Sequence, residues 1–537
     1  MSTNRPSPYW PILLPAAHYM SMAPLDVWVR LLFVPLASIE PRYWLRLYTL
    51  LFTSTAATIV TLPERLVMAL WLMLAKWKPE TFPGPVFVLG YYRSGTTHLH
   101  YLLECDPQLY TPKWVHVLVP QGFVVSWTFL RLFVIPFMSG SRPMDAMDVG
   151  PEYAAEDHFG VNNWCLASTL PGKSVLPRAR PYYDRFNELV DVSPAELSRW
   201  RRYQLAFVRK LQYLAGNRRL LLKSPSHTAH VERLLELFAG TPGVKFIHIT
   251  RHPDKVVRSN VWMHEVFQSI WNLQDVTPRE ELEDSLVEEY LRTEQSYLKA
   301  RDKIPAGNLA EIRIQDLHAD PVGEVKRVYR ELNLEYTPAF EARLLEYLHA
   351  TRDFTPNKHY EWTPERARAI SDKLAPLVEK FRHHEPAIAK NPPPKPAGAD
   401  TPVVNREWMG ALAALGAAAV CGAIWFWLSR MSPAAATFTD RMIWPTGLAV
   451  GFAAYMGSGR MGTKRLGWLA VALTVGLLLG IATWNTRANA AEASELAQAG
   501  WSAALQATLI DRLTAFRVWF WGSLGLVSAF RLGTRTA

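Results

Sequence analysis

The stretch Val86-Phe-Val-Leu-Gly-Tyr-Tyr-Arg-Ser-Gly-Thr-Thr97 (VFVLGYYRSGTT) decides how the chain folds. Four apolar residues run into a loop with two glycines, and the loop opens a helix, HLHYLL. Gly90 and Gly95 have the spacing of the nucleotide loop G-x-x-x-x-G-K-[ST], but Thr96 stands where the lysine belongs. The basic side chain is Arg93, inside the loop. In such a strand–loop–helix unit, successive N–H groups and the helix dipole make an anion cradle. Gly95 lets the backbone approach a ligand closely, and Ser94, Thr96 and Thr97 add hydroxyl donors.

Outward from this loop, residues 81 to 385 alternate short apolar strands with helical stretches. VFVL (86–89), RLLLK (219–223), VKFIHIT (244–250) and LAEIRI (309–314) read as buried parallel strands; 95–104, 227–238, 254–265 and 321–332 read as helices. The alternation predicts an α/β fold, P-loop-like and three-layered around a central parallel sheet, with ligands at the carboxyl ends of the strands. A second anion motif follows VKFIHIT: Arg251 ends the strand, and Ser259 lies eight residues on along the next helix. Arginine offers a planar fork for phosphate, and the serine hydroxyl donates beside it. Arg258 either reaches the same phosphate or is solvated.

Together the two motifs resemble the sulfotransferases that use 3′-phosphoadenosine-5′-phosphosulfate (PAPS), in the bacterial branch related to protein-tyrosine sulfotransferases. Arg93-Ser94-Gly95-Thr96-Thr97 is similar to their 5′-phosphosulfate loop, and Arg251 with Ser259 to their 3′-phosphate motif. LLLKSPSHTAHVERLLELF (220–238), RPMDAMDVGPEYAAEDHF (142–159), IRIQDLHADPVGEVKRVYREL (312–332) and NKHYEW (357–362) extend the likeness over roughly residues 80 to 382. The resemblance implies PAPS as co-substrate and a hydroxyl acceptor. A phosphosulfate carries less charge than a triphosphate tail, which accounts for the missing loop lysine, and it implies no metal.

Sulfuryl transfer requires an in-line acceptor oxygen, a base for its proton, and positive charge on the leaving oxygen. Arg93 and Lys223 are the expected cations. Relatives usually carry a glutamate base about twenty residues after the loop; spacing from Pro120 puts His116 in that place. Neutral imidazole, with a free pKa of roughly 6.5, suits the task. Glu156, Asp157 and His158 are the reserve candidates, because relatives carry an acidic cluster there. Lys358 and His359, in NKHYEW, are the expected further contacts to the 3′-phosphate side.

The chain divides at a Pro-rich linker. Residues 1–80 form an apolar helical region that packs on the core or lies in a membrane interface, broken up by Arg30, Pro35, Arg42, Arg46, Pro63, Glu64 and Arg65. The sulfotransferase-like domain covers 81–385, the linker 386–406, and 407–537 an all-α transmembrane region of three to four helices, with apolar blocks at 410–428, 442–457, 466–484 and 515–530. The first and third blocks are long enough to span hydrocarbon. Arg460, Lys464 and Arg465, with Arg531 and Arg535, place the α/β domain in the cytoplasm of a multi-pass protein, taken to be of the bacterial inner membrane; Arg430 and Arg441 count the other way. The formal net charge of +10 suits an anionic ligand or membrane surface. No zinc-finger spacing, RNP-like signature or Lys/Arg tract points to nucleic acid. Cys105, Cys165 and Cys421 read as reduced thiols. The expected acceptor is a lipid or lipid-linked alcohol or phenol. The alternatives are a P-loop kinase or NTPase, and a membrane-bound nucleotide-binding protein without turnover.

Overall fold

A computed structural model describes residues 18–75, 78–128, 130, 150–352, 362–394, 407–431, 443–458 and 464–488, with 525, 526 and 529. The chain forms two compact units: residues 1–130 with 141–400, and 131–140 with 401–537.

Among the described residues, the first unit opens with two α-helices, α1 (Leu25–Leu32) and α2 (Trp44–Leu74). The α/β domain follows: β1 (Val86–Leu89), α3 (Thr96–Glu104), β2 (Leu109–Tyr110), α4 (Trp114–Leu118), α5 (Asp157–Cys165), α6 (Pro194–Ala215), β3 (Arg219–Lys223), α7 (Val231–Leu237), β4 (Lys245–Thr250), α8 (Pro253–Trp271), α9 (Arg279–Arg301), β5 (Leu309–Arg313), α10 (Pro321–Glu331), α11 (Pro338–Ala350) and α12 (Pro364–Lys380).

The five strands are all parallel, in the order β2-β3-β1-β4-β5. The four expected strands are present. The two-residue edge strand β2 was not foreseen, because two half-buried residues carry no periodic signal. β1 is central and buried on both faces, which is why it reads as an unbroken apolar run. Val86, Val88, Leu221, Ile247, Ile249 and Ile312 meet in one core beneath α3 and α10. Each such buried aliphatic side chain contributes about 1.5–3 kcal/mol. From β1 the chain moves to β2 and β3 on one side, then returns to β4 and β5 on the other. The carboxyl ends of β3, β1 and β4 therefore flank a topological switch point, where α/β sheets bind ligands.

α2 departs from expectation. Arg46, Pro63 and Glu64 do not interrupt it: 31 residues form one helix. Arg46 and Glu64 turn inward, where Arg46 Nη1 donates to the Asn272 carbonyl (2.7 Å) and Glu64 accepts the amides of Val124, Val125 and Ser126 (2.7–2.9 Å).

The second unit contains α13 (Glu407–Met431), α14 (Ile443–Gly457) and α15 (Lys464–Ala488). Small residues line their contacts, among them Ala414, Ala418, Ala454 and Ala470, so the backbones approach closely. Among the described residues, two segments are long and apolar enough to cross a membrane, Pro41–Leu74 and Glu407–Leu428; Arg465–Leu477 is a shorter apolar stretch. The fourth apolar block, 515–530, lies largely outside the described residues.

Candidate active site

The loop after β1 is shaped by two backbone demands. Gly90 has φ +138°, and a Cβ there would lie 2.4 Å from the Ile249 carbonyl oxygen of β4. Its amide donates to Thr228 Oγ1 (2.7 Å), tying β1 to the turn after β3. Gly95, at φ +100°, caps α3 and turns the loop into the helix. Arg93 between them takes φ 69°, left-handed for a residue with a Cβ. That strain is held by two contacts. Arg93 Nε donates to Ser259 Oγ on α8 (2.8 Å), and Arg251 Nη1 donates to the Arg93 carbonyl (3.2 Å). The two anion motifs thus form one site. Arg251 has its pKa lowered, by burial first and by the neighbouring Arg93 second. Two guanidiniums held together in a half-buried crevice suit an anion between them.

Lys223 ends β3, the strand beside β1, and is 2% exposed. Its Nζ lies 3.3 Å from Thr97 Oγ1 and 2.6 Å from Glu156 Oε1. The lysine that the loop itself lacks is thereby delivered to the mouth of the loop from the neighbouring strand. Ser94 Oγ is buried and has no hydrogen-bond partner among the described residues. An orphaned hydroxyl, two free-conformation glycines and the amino end of α3 fit an anionic sulfate or phosphate group.

The acidic cluster is taken apart by the fold. Glu156 is the residue before α5 and faces Lys223. Asp157 is fully buried, 2.8 Å from His227 Nε2 and 3.2 Å from Gln204 Nε2. Burial pushes the Asp157 carboxyl up, yet His227 and Gln204 bring it below its ordinary range. His158 is buried with neither ring nitrogen partnered among the described residues, and burial lowers its pKa to about 3.

His116 is placed differently. Its Nδ1 accepts the Lys113 amide (2.9 Å), capping the start of α4, and its ring packs against Phe123 and Tyr110. Burial, then the charges of Lys113 and Lys210, lower its pKa to about 3. The same turn is joined to the segment before Glu156. The Ala155 amide donates to the Pro112 carbonyl (2.8 Å), and Lys113 bridges Ala154. His116 therefore braces the strap that carries Glu156.

Arg258 stacks its guanidinium 4.6 Å over the Trp362 ring. Lys358 and His359 lie outside the described residues. Sequence reasoning missed Thr228, whose hydroxyl anchors Gly90, although its position in KSPSHT was a signal. It also missed the buried Lys173–Glu289–Arg180 cluster behind Tyr91 and Tyr92, where Lys173 Nζ is 2.5 Å and Arg180 Nη2 3.2 Å from Glu289. Glu289 lies 109 residues or more beyond the other two, so no local pattern joins them. Among the described residues, no group of three His, Cys, Asp or Glu side chains is placed to hold a metal ion.

Residues 168–338 match the profile of the Sulfotransferase family. The chain is 30% identical over 311 residues to the omega-hydroxy-beta-dihydromenaquinone-9 sulfotransferase Stf3 of Mycobacterium bovis and, equally, to that of Mycobacterium tuberculosis. Each match covers 57% of this chain and 77% of the relative. Among solved structures, the sulfotransferase STF9 of Mycobacterium avium superposes with a TM-score of 0.50 at 19% identity, over 71% of this chain and 97% of that one. That likeness concerns the fold.

Proposed function

Because this chain belongs to the sulfotransferase family, we propose that it moves a sulfuryl group from PAPS to the hydroxyl of a lipid or lipid-linked acceptor. The observation that carries the reading is the junction of the two anion motifs: Arg93 bonded to Ser259, and Arg251 bonded to the Arg93 backbone. One end of a bisphosphorylated nucleotide falls to Arg251 and Ser259, and the phosphosulfate to Ser94, Gly95, Thr96 and Thr97. The acceptor class is supported by the relatives, whose name specifies a hydroxylated menaquinone. It is also supported by the apolar helices of both units, which suit catalysis at a bilayer. A multi-pass protein with its α/β domain on the cytoplasmic side follows from the charge bias of the sequence.

In the transfer, the acceptor oxygen attacks sulfur as the bond to the bridging oxygen breaks, and the acceptor proton must go to a base. Of the candidates that the sequence leaves open, Glu156 has the geometry in its favour. Its carboxylate sits 2.6 Å from Lys223, the cation suited to neutralise the leaving oxygen. With the nucleotide bound, Lys223 turns to the bridging oxygen and Glu156 is released to accept the proton. His116 is then a positioning residue, holding the strap that aims Glu156.

Retention of the detergent-solubilised chain on immobilised adenosine 3′,5′-bisphosphate, unaffected by magnesium chelation, tests the nucleotide assignment. Elution by ATP–magnesium but not by free adenosine bisphosphate would favour a kinase-type site.

A further inference from the structure

α2 is inside out. Its buried stripe, Arg46, Leu50, Ser54, Ala57, Thr61 and Glu64, is mostly polar. The exposed residues between Trp44 and Leu74 are apolar apart from the Tyr48 hydroxyl, and the one charged side chain partly in view, Arg65, is ion-paired with Asp26. The outward side chains include Tyr48 at 68%, Ile59 at 67% and Met73 at 72% exposure. A helix on a water-soluble protein has the opposite arrangement, with its apolar stripe on the core. An apolar face of this length in water is far larger than soluble monomers show.

The inward polar groups also fix how the helix lies. Arg46 near its start is bonded to Asn272 at the end of α8. Ser54 donates to the Ala23 carbonyl (2.6 Å), and Glu64 accepts three amides at 124–126. At the far end Arg209 of α6 donates to the carbonyls of Leu72 and Ala75. The helix is therefore strapped to the α/β domain over its whole length of about 46 Å, longer than the roughly 30 Å hydrocarbon layer. A perpendicular crossing would draw Asn272 or Arg209, with the domain around them, into hydrocarbon. Exposed Arg42, ion-paired with Asp275, precedes the apolar face, and exposed Lys78 follows it with exposed Glu80 two residues on, so charged groups mark both ends.

We propose that α2 is a bilayer-docking helix that lies in the plane of a membrane, its outward face in the acyl region and its charged ends at the headgroups. It would hold the α/β domain on the surface independently of the helices beyond residue 407. The inference stands on this helix alone and not on the sulfuryl chemistry.

The test uses the full chain in vesicles containing phosphatidylglycerol, with Cys105 and Cys421 replaced by Ser and a nitroxide on Phe52→Cys, Ile59→Cys, Leu66→Cys, Leu70→Cys or Ala57→Cys. Oxygen and a water-soluble nickel chelate report immersion of each label, whatever holds the protein in the vesicle. Docking in the plane predicts that labels at 52, 59, 66 and 70 are reached by oxygen far more than by nickel. It also predicts one common depth of about 5–10 Å for them, while the label at 57 is shielded from both reagents. High nickel accessibility at the four sites would overturn the proposal, as would shielding from both reagents, the mark of a protein partner or second copy. A depth that rises and then falls along the helix, the mark of a crossing, would overturn it too.

Discussion

Arg93 Nε and Ser259 Oγ, 166 residues apart in sequence, are 2.8 Å apart across the crevice between β1 and β4. This bond makes the two anion motifs one site, with consequences that differ from residue to residue.

Arg251→Ala should weaken binding of adenosine 3′,5′-bisphosphate by about 10- to 100-fold, the scale of one lost charge-assisted contact. Turnover at saturating nucleotide should change far less. Titration calorimetry reads the first and saturation kinetics the second; an unaltered Kd would remove Arg251 from the nucleotide site.

Glu156→Gln should lower kcat by about 10²- to 10⁴-fold, as loss of a general base does, while nucleotide binding persists. His116→Asn keeps an acceptor for the Lys113 amide and should retain most activity, whereas His116→Ala should lose part of kcat without altering the pH profile. A profile whose acid limb disappears in the histidine variants and survives in Glu156→Gln would reverse the two roles.

Acid should destabilise the first unit well before carboxylates in general titrate. His116, His158 and His264 are buried, and burial holds each at a pKa of about 3 against an unfolded value near 6.5. Between those values the unfolded chain binds protons that the folded chain refuses, so stability falls as pH falls from 6.5 towards 3. Each histidine contributes up to about 1.4 kcal/mol per pH unit in that window. Thermal unfolding followed in detergent at pH 7.5 and 5 should show the lower midpoint at pH 5; an equal or higher midpoint would contradict the burial of these rings.

Gly90→Ala should damage the protein more than Gly95→Ala. Both positions have positive φ, a strain of about 1–3 kcal/mol for alanine. At Gly90 the new methyl meets a strand carbonyl at 2.4 Å, which cannot move without breaking the sheet; at Gly95 it meets the tip of Ile314 at 2.5 Å, which can swing away. Comparing soluble yield and midpoint of the two variants checks the order.

Much of this was legible in the sequence for a physical reason. The strand β1, its loop and Arg251–Ser259 are local patterns, and parallel strands buried on both faces stand out as apolar runs. The sequence offered Glu156 only as a reserve base; the ion pair with Lys223 that favours it as the proposed base was not legible, because it depends on the pairing of Pro112 with Ala155. His116 drew attention through its spacing and the suitability of a neutral imidazole, neither of which reveals that a ring nitrogen caps a helix. α2 was misread for a related cause. Arg46 and Glu64 interrupt an apolar run in sequence but fall on one face in space, so the periodicity was intact with its polarity reversed.

Sulfuryl transfer to a lipid hydroxyl is read out by a single-turnover reaction of labelled PAPS with purified chain and a hydroxylated isoprenoid quinone. Magnesium is chelated, and label is counted in the organic phase. A labelled lipid is expected with the wild-type chain, little with Glu156→Gln, and with Arg251→Ala a yield restored by raising PAPS. Tight nucleotide binding with no label entering any lipid, or equal transfer by wild-type and Glu156→Gln chains, would contradict it.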